Sequence, residues 1–513
     1  RVHLGLCVKL FDFASHESLM ALRRDCLDGV QAVQIDVHHP DEISTLFDGA
    51  IVYAKGARLL RMLQHYIGNV AFQTGLRSYF NKHAYSNTDG EDLWNELSSS
   101  SSKDIAGFMN TWISQPGYPV VNVSQTGESV SLSQTQFFTG PHEPSDKLWP
   151  IPLNSPCTEM PVLFDQKEQL VTRHHMTPLR LNDGDTAHFI THYDDSLLLR
   201  LIAEIKNGSL SPLDRLQLLH EQTMLARGGI ISSASLIPLL DAFADETNES
   251  VWEILGVTVG ELKRFVEDDE EAKTKLRQLA GNLARAQYQR LGWDMQPNET
   301  ETDTKLRATI LGLMIYSEDD TVLGKVKALF ASTSLEKLDP ELRPLIISAA
   351  VRYSDDPTIV ARLMEEHAST SSAELQGDIA IGVTSTKDIT IIKQLLGSLK
   401  NADIVRVQDV ARWFVYLVRG KEARELTWQW LRDNWDWIDE TFSGDKSYDD
   451  YVRYPAIALS TRNQLEEYKS FFTPKLKIPA LTRVIGLGIA EIESRVELIE
   501  RDGEAVRSAL RNL

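Results

Sequence analysis

Trp112-Ile113-Ser114-Gln115-Pro116-Gly117-Tyr118-Pro119-Val120-Val121 is where this chain changes period. Before it, apolar residues recur at helical intervals; after it, they alternate with polar ones. Gln115-Pro116-Gly117-Tyr118-Pro119 reads as a turn, because proline fixes φ and glycine accepts positive φ. A domain boundary is expected at residue 118.

Upstream, residues 15 to 115 read as helical. Leu59, Leu60, Leu63 and Ile67 are assigned to one helix face. Thr88-Asp89-Gly90-Glu91 is a capping-box pattern ahead of Leu93, Trp94 and Leu97. Ser98 to Ser102 is expected to be a loop, followed by a helix from Asp104 to Ile113. Downstream, Val121, Val123, Val130 and Leu132 keep the strand period. Further strands are expected at Gln136–Phe138, Pro161–Phe164, Gln169–Thr172 and His188–His192, with Trp149 anchoring a small β-sandwich over 119–196. From 197 to 513 the pattern is helical again, including Leu213–Arg227, Ser235–Ala244, Lys273–Leu291, Thr304–Tyr316, Pro344–Tyr353 and Val407–Val418. Consecutive helices with short connections predict an α-solenoid of stacked pairs, HEAT-like in type, although no strict repeat period is present. A multi-helix globule is the alternative. The fold class is mainly α with a small β-sandwich.

The 513 residues exceed what one core organises and fit about three domains. Lys plus Arg number 53 against 73 Asp plus Glu, a net charge of −20. That balance argues against nucleic acid as a partner, suits solubility, and could draw cationic peptides toward an acidic cavity. No apolar stretch approaches the roughly 18–20 residues of a membrane span. Cys7, Cys26 and Cys157, odd in number and far apart, fit a reducing, cytoplasmic compartment. The chain opens on Arg1 without a signal-peptide pattern and is expected to be processed or, preferably, a fragment of a longer protein.

The segment Phe47-Asp48-Gly49-Ala50-Ile51-Val52-Tyr53-Ala54-Lys55-Gly56-Ala57 puts a tyrosine and a lysine on the first turns of a helix. Gly56 costs that helix about 1 kcal/mol relative to alanine, which implies a close approach by backbone or ligand. A phenol is protonated at neutral pH and can donate to a developing oxyanion. The plainer reading is a half-buried tyrosine satisfied by a carbonyl.

His39-Pro40, Glu42-Ile43 and Phe47 to Ala57 together resemble, in order and spacing, the transition-state tyrosine segment of the aminopeptidase N (alanyl aminopeptidase) family of zinc metallopeptidases, bacterial type. Trp112 to Val121, Trp149-Pro150-Ile151-Pro152-Leu153, His192-Tyr193-Asp194, Leu213-Asp214-Arg215-Leu216, Leu225-Ala226-Arg227-Gly228-Gly229, Leu291-Gly292-Trp293 and Asn434-Trp435-Asp436 continue the resemblance in order along nearly the whole chain. It implies that residues 1–118 are the C-terminal helical part of a thermolysin-like catalytic domain, 119–196 a β-sandwich and 197–513 the helical domain. It also implies Tyr53 as the one catalytic residue carried here, stabilising the tetrahedral intermediate beside zinc. In the family a His-Glu-x-x-His motif and a downstream glutamate hold the metal. No such motif occurs here, so zinc is expected in the intact enzyme and none in this fragment, whose partners would be peptide substrates and its own missing N-terminal half.

No other metal site is expected. His38-His39 and His174-His175 are adjacent pairs, whose side chains diverge. His220-Glu221-Gln222-Thr223-Met224 ends on methionine where the second histidine must stand. Trp428, Trp430, Trp435 and Trp437 are read as packing, and Glu267-Asp268-Asp269-Glu270-Glu271 as a solvated helix start. The expected function is that of a zinc aminopeptidase releasing N-terminal residues. The alternatives are a non-catalytic helical-repeat peptide-binding or scaffold protein, and a truncated pseudo-enzyme.

Overall fold

A computed structural model describes residues 10–37, 46–174 and 179–513. Cys7, the pairs His38-His39, His39-Pro40 and Glu42-Ile43, and His175 lie outside the described residues. Contacts divide the chain into two units, Arg1–Thr258 and Val259–Leu513. The protein is mainly helical with a small sheet.

In the first unit, helix Leu19–Asp25 packs against a wide π-type turn, Ala50–Lys55, that runs into helix Gly56–Ile67. Helix Gly56–Ile67 buries Leu59, Met62 and Leu63, together with Arg58. Leu60, assigned to the same face from sequence, is 41% exposed; a helix turns about 100° per residue, so neighbours 59 and 60 cannot share one narrow stripe. Helix Gly90–Ser101 is capped by Asp89, not Thr88: Asp89 accepts from the amides of Glu91 and Asp92, and Asp92 returns the bond. The serine run is helical through Ser101. Ser99 donates to the Asn95 carbonyl, and Ser100 and Ser101 to that of Leu97, so hydroxyls that could break the helix are satisfied within it. Helix Ile105–Ser114 follows, capped by Asp104.

Strands β1 (Pro119–Thr126), β2 (Ser129–Gln136), β5 (Glu168–Thr172) and β6 (Ile190–Tyr193) form a sheet of order β5-β2-β1-β6. β1 is antiparallel to β2, with Val123 opposite Leu132, and parallel to β6, with Val121 opposite Thr191. A separate two-stranded ribbon joins β3 (Ile151–Pro152) to β4 (Leu163–Phe164). Trp149, fully buried, exchanges two hydrogen bonds with the Gln134 amide group and so ties the ribbon's approach to β2. The strand expected at Gln136–Phe138 is only the last residue of β2.

No strand follows β6 among the described residues. Helix Pro212–Arg227 is buried from Leu213 through Ala226 except Arg215. The helix expected over 235–244 is short, Leu236–Leu240, flanked by 3₁₀ turns. In the second unit, Glu270–Leu291 packs on the next helix, Glu301–Tyr316, Arg343–Arg352 on the next but one, Ala373–Val383, and Val410–Arg419 on the third one on, Asp450–Ala458. The final helix, Pro479–Arg511, returns to Glu270–Leu291, where Arg511 pairs with the cap residue Asp269. The acidic run is thus ion-paired as well as solvated, since Arg424 and Lys421 take Glu267 and Asp268. The tryptophans lie on two helices, Lys421–Asp433 and Trp435–Phe442, with Trp428 and Trp435 buried.

Candidate active site at Tyr53 and the ionic junction that holds it

Asp48 starts the Tyr53 segment. Its Oδ1 accepts from the Ala50 amide at 3.1 Å, its carbonyl from the Val52 amide at 2.8 Å, and its Oδ2 from Arg24 Nε at 2.7 Å. The wide turn then buries Ala50, Ile51, Ala54 and Lys55 while Tyr53 stands 64% exposed. The Tyr53 hydroxyl has no hydrogen-bond partner among the described residues, so the reading of a tyrosine satisfied by a carbonyl does not hold for them. Its O–H remains available to a ligand. Gly56 has ordinary helical dihedrals, and a Cβ there would meet no described atom within 4 Å. No backbone among the described residues makes the close approach expected at this glycine.

Two residues after Tyr53, the Lys55 side chain is completely buried. Its ammonium sits 2.9 Å from Asp25 Oδ2 and donates to the carbonyls of Gly117 at 3.1 Å and Gln115 at 3.3 Å. Asp25 also accepts from the Gly117 amide at 3.0 Å and meets His188 Nε2 at 2.9 Å. Arg58 Nε donates to His188 Nδ1 at 3.1 Å. That bond settles the tautomer: Nδ1 is the acceptor, so Nε2 carries the proton and donates it to Asp25. Arg58 closes the set with a bidentate pair to Asp185 at 2.9 and 3.0 Å and a bond to the Ala187 carbonyl. Two cations and two anions therefore balance around a neutral imidazole.

Protonation follows from this geometry. Burial pushes the Asp25 carboxyl up, but Lys55 and His188 outweigh it and hold it below its ordinary value. Asp185 is likewise lowered by Arg58 against its burial. Burial lowers His188 to about 4 despite the Asp25 hydrogen bond. The network links helix Leu19–Asp25, the Tyr53 turn, the period-changing turn at Gly117 and the approach to β6. It fixes where Tyr53 stands.

Two further histidines named from the sequence, His174 and His220, stand apart from this network. His174 is exposed and pairs with Glu128 at 3.3 Å. His220 is buried in its helix, lowered to about 3 by burial and then by Arg23. Among the described residues, no three His, Cys, Asp or Glu side chains converge as metal ligands. Asp25, Lys55, Arg58, Asp185 and His188 were not singled out from the sequence as a group. Lys55 was visible only as part of the Tyr53 motif, and nothing local to residue 25 or 188 announces a partner so distant in the chain.

The first unit thus presents an exposed tyrosine on a turn that is bonded to the residues leading into the sheet. Residues 9–112 match the Peptidase family M1 domain, and residues 179–494 match the ERAP1-like C-terminal domain. Aminopeptidase N of Lactococcus lactis subsp. cremoris (strain MG1363) is 38% identical over 510 residues, covering 98% of this chain and 60% of that protein. Aminopeptidase N of Lactobacillus helveticus is 36% identical over 507 residues, covering 97% and 60%. Aminopeptidase M1-B of Oryza sativa subsp. japonica is 29% identical over 523 residues, covering 96% and 58%. The chain belongs to the aminopeptidase N family of M1 peptidases. It spans about 60% of the length of these bacterial relatives.

Proposed function

We propose that this chain is part of a zinc-dependent aminopeptidase that releases neutral or basic N-terminal residues from peptides in the cytoplasm, and that Tyr53 is its transition-state hydrogen-bond donor. The observation that carries the reading is the pairing of exposures within one turn: Tyr53 open and without a hydrogen-bond partner among the described residues, Lys55 buried and bonded to three groups. A donor held this way meets a developing oxyanion without reorganising, and one such donor contributes about 3 kcal/mol. The residues of this chain do not fit zinc: the motif His-Glu-x-x-His is missing from the sequence, and the described side chains offer no ligand cluster. Tyr53 therefore acts toward substrate oxygen and holds no metal.

The architecture we assign to this function is a thermolysin-like helical segment over 1–118, a β-sandwich over 119–196 and a HEAT-like solenoid over 197–513. The change from sheet to helices and the next-but-one helix packing support it. Peptides and the zinc-bearing part of the same enzyme are its partners. No described helix is long and apolar enough to cross a membrane. A non-catalytic scaffold is not favoured, because the relatives are aminopeptidases by name.

The test is Tyr53→Phe in the zinc-loaded enzyme that contains these residues. We expect kcat to fall by about two to three orders of magnitude with zinc content and KM near wild type. A variant with near-wild-type kcat removes Tyr53 from the mechanism.

A further inference from the structure

In the second unit, two helices share a cavity that the peptidase reading does not use. Helix Ile359–Ser369 packs on Ala373–Val383, and helix Ile389–Ser398 on Lys421–Asp433. Each also presents apolar residues at helical spacing to a cavity of about 470 Å³. Val360 and Met364 come from the first helix, Ile391 and Leu395 from the second, and Ile404 from the loop that follows. Val360 and Leu395 are buried, whereas Ile404 is 39% exposed, so the apolar lining reaches solvent. A recess of this size falls in the range that bound ligands occupy.

The charged residues that line it are Glu365, on the first helix, and Asp403, in the loop; no lysine or arginine lines it among the described residues. Neither carboxylate has a hydrogen-bond or ion-pair partner among those residues. The cations nearest in sequence are engaged elsewhere. Arg362 pairs with Asp356 at 2.7 Å, Arg406 with Asp409 at 2.8 Å, and Lys400 donates to Asn434 at 3.1 Å. His367, which also lines the cavity, stands edge-on to Trp413 with ring centroids 5.5 Å apart. Burial, and then Arg406, hold it below its ordinary value, so it brings no charge at neutral pH. The lining therefore sets two uncompensated negative charges around an apolar body. Covering the apolar part removes it from water, and each carboxylate gains by meeting a cation.

We propose that this cavity binds a peptide segment whose apolar side chains are flanked on both sides by lysine or arginine. The walls select leucine- or phenylalanine-like side chains, and the two carboxylates select the cations. A peptide fits better than a small amine, because Glu365 and Asp403 stand on different elements. One ammonium group fills one of them and leaves the other. The attraction that a net charge of −20 exerts on cationic peptides thereby gains a local address. This binding lies within the second unit and is independent of Tyr53.

Calorimetry on the 513-residue chain uses acetyl-Lys-Leu-Leu-Lys-amide, whose blocked N-terminus an aminopeptidase cannot trim. We expect saturable binding with a Kd at or below about 1 mM; no saturation up to about 10 mM overturns the site. Acetyl-Lys-Ser-Ser-Lys-amide should bind at least about tenfold more weakly, since a buried leucine side chain contributes on that scale. Acetyl-Glu-Leu-Leu-Glu-amide should lose about tenfold at low salt, and the gap should narrow as salt screens it. In Glu365→Gln/Asp403→Asn that charge preference should fall to about twofold. A preference kept in full there belongs to the net charge of the whole chain and overturns the site. Ala368 lines the cavity from an exposed position, so Ala368→Trp should fill it and weaken the lysine peptide at least about tenfold with an unchanged Tm. Wild-type affinity in this folded variant overturns the site, as do equal affinities for the leucine and serine peptides. Phenethylamine binding as tightly as the lysine peptide gives the cavity to small amines and overturns the peptide.

Discussion

Around Lys55 the interior is ionic, and around Trp428 it is aromatic. In the first unit, Asp25, Lys55, Arg58, Asp185 and His188 are joined by bonds of fixed direction, each filling a donor or acceptor of the next. In the second, Trp428 has ring centroids of Tyr468, Phe471 and Phe472 at 5.8–6.0 Å, and Trp435 meets the same two phenylalanines. Contact area tolerates small changes of shape, whereas a closed charge set does not tolerate the loss of one member. The ionic design stands beside the side chain proposed as a donor, and the aromatic one where helices are held together.

The largest expected effect comes from Asp25→Asn. The shape is kept, but the Lys55 ammonium loses its counter-charge in a dry site, at a cost of about 3–5 kcal/mol in urea unfolding. Asp25→Leu/Lys55→Met should cost less than the sum of its parts. It should not be neutral, because the Gly117 amide and His188 lose their acceptor. A cost below about 1 kcal/mol for Asp25→Asn would end the distinction between the two regions.

The next effect is pH dependence. His188 is held at about 4 against an ordinary 6.5, so the folded chain binds fewer protons than the unfolded one between those values. Its contribution is complete above pH 6.5 and is lost as pH falls toward 4, about 3 kcal/mol in all. His188→Gln removes that slope, and the difference between variant and wild type across pH 4.5–7 isolates it from His220 and the buried acids.

Two smaller effects probe the aromatic region. A Cβ on Gly488 would lie within van der Waals overlap of Tyr468 Oη and 3.1 Å from Ala456 Cβ. Tyr468 cannot swing away, being fully buried and bonded to the Val452 carbonyl at 3.1 Å. Gly488→Ala should cost about 1–3 kcal/mol, and Tyr468→Phe in the same chain should recover part of it. The smallest loss, about 1–2 kcal/mol, is expected from Trp428→Phe, which keeps a ring in place but gives up area and the bond to Glu467. If that substitution costs as much as Asp25→Asn, directionality is not what separates the regions.

The aromatic region was legible in the sequence, and the ionic one was not, for a physical reason. Periodicity registers apolar residues, so Leu59 and Leu63 were placed correctly and the valines of β1 and β2 took their faces. The same rule sends every lysine and arginine outward. Lys55 and Arg58 are buried because partners far along the chain neutralise them, which no local window contains. The serine run failed differently: hydroxyls bonding back to Asn95 and Leu97 made a helix of what composition marks as a loop. Tyr53 was singled out by its flanking motif, and its exposure comes from the wide turn, which no residue type announces.

That turn works as a phase shifter. By spreading Ala50–Lys55 over a broader loop of backbone than an ordinary helical turn, it offsets the angular position of everything before it from everything after it. Tightening it by one residue would rotate the phenol by about 100° relative to the lysine foundation, leaving both side chains intact but pointing the proposed donor elsewhere. The address of the hydroxyl is thus stored in backbone winding as well as in chemistry.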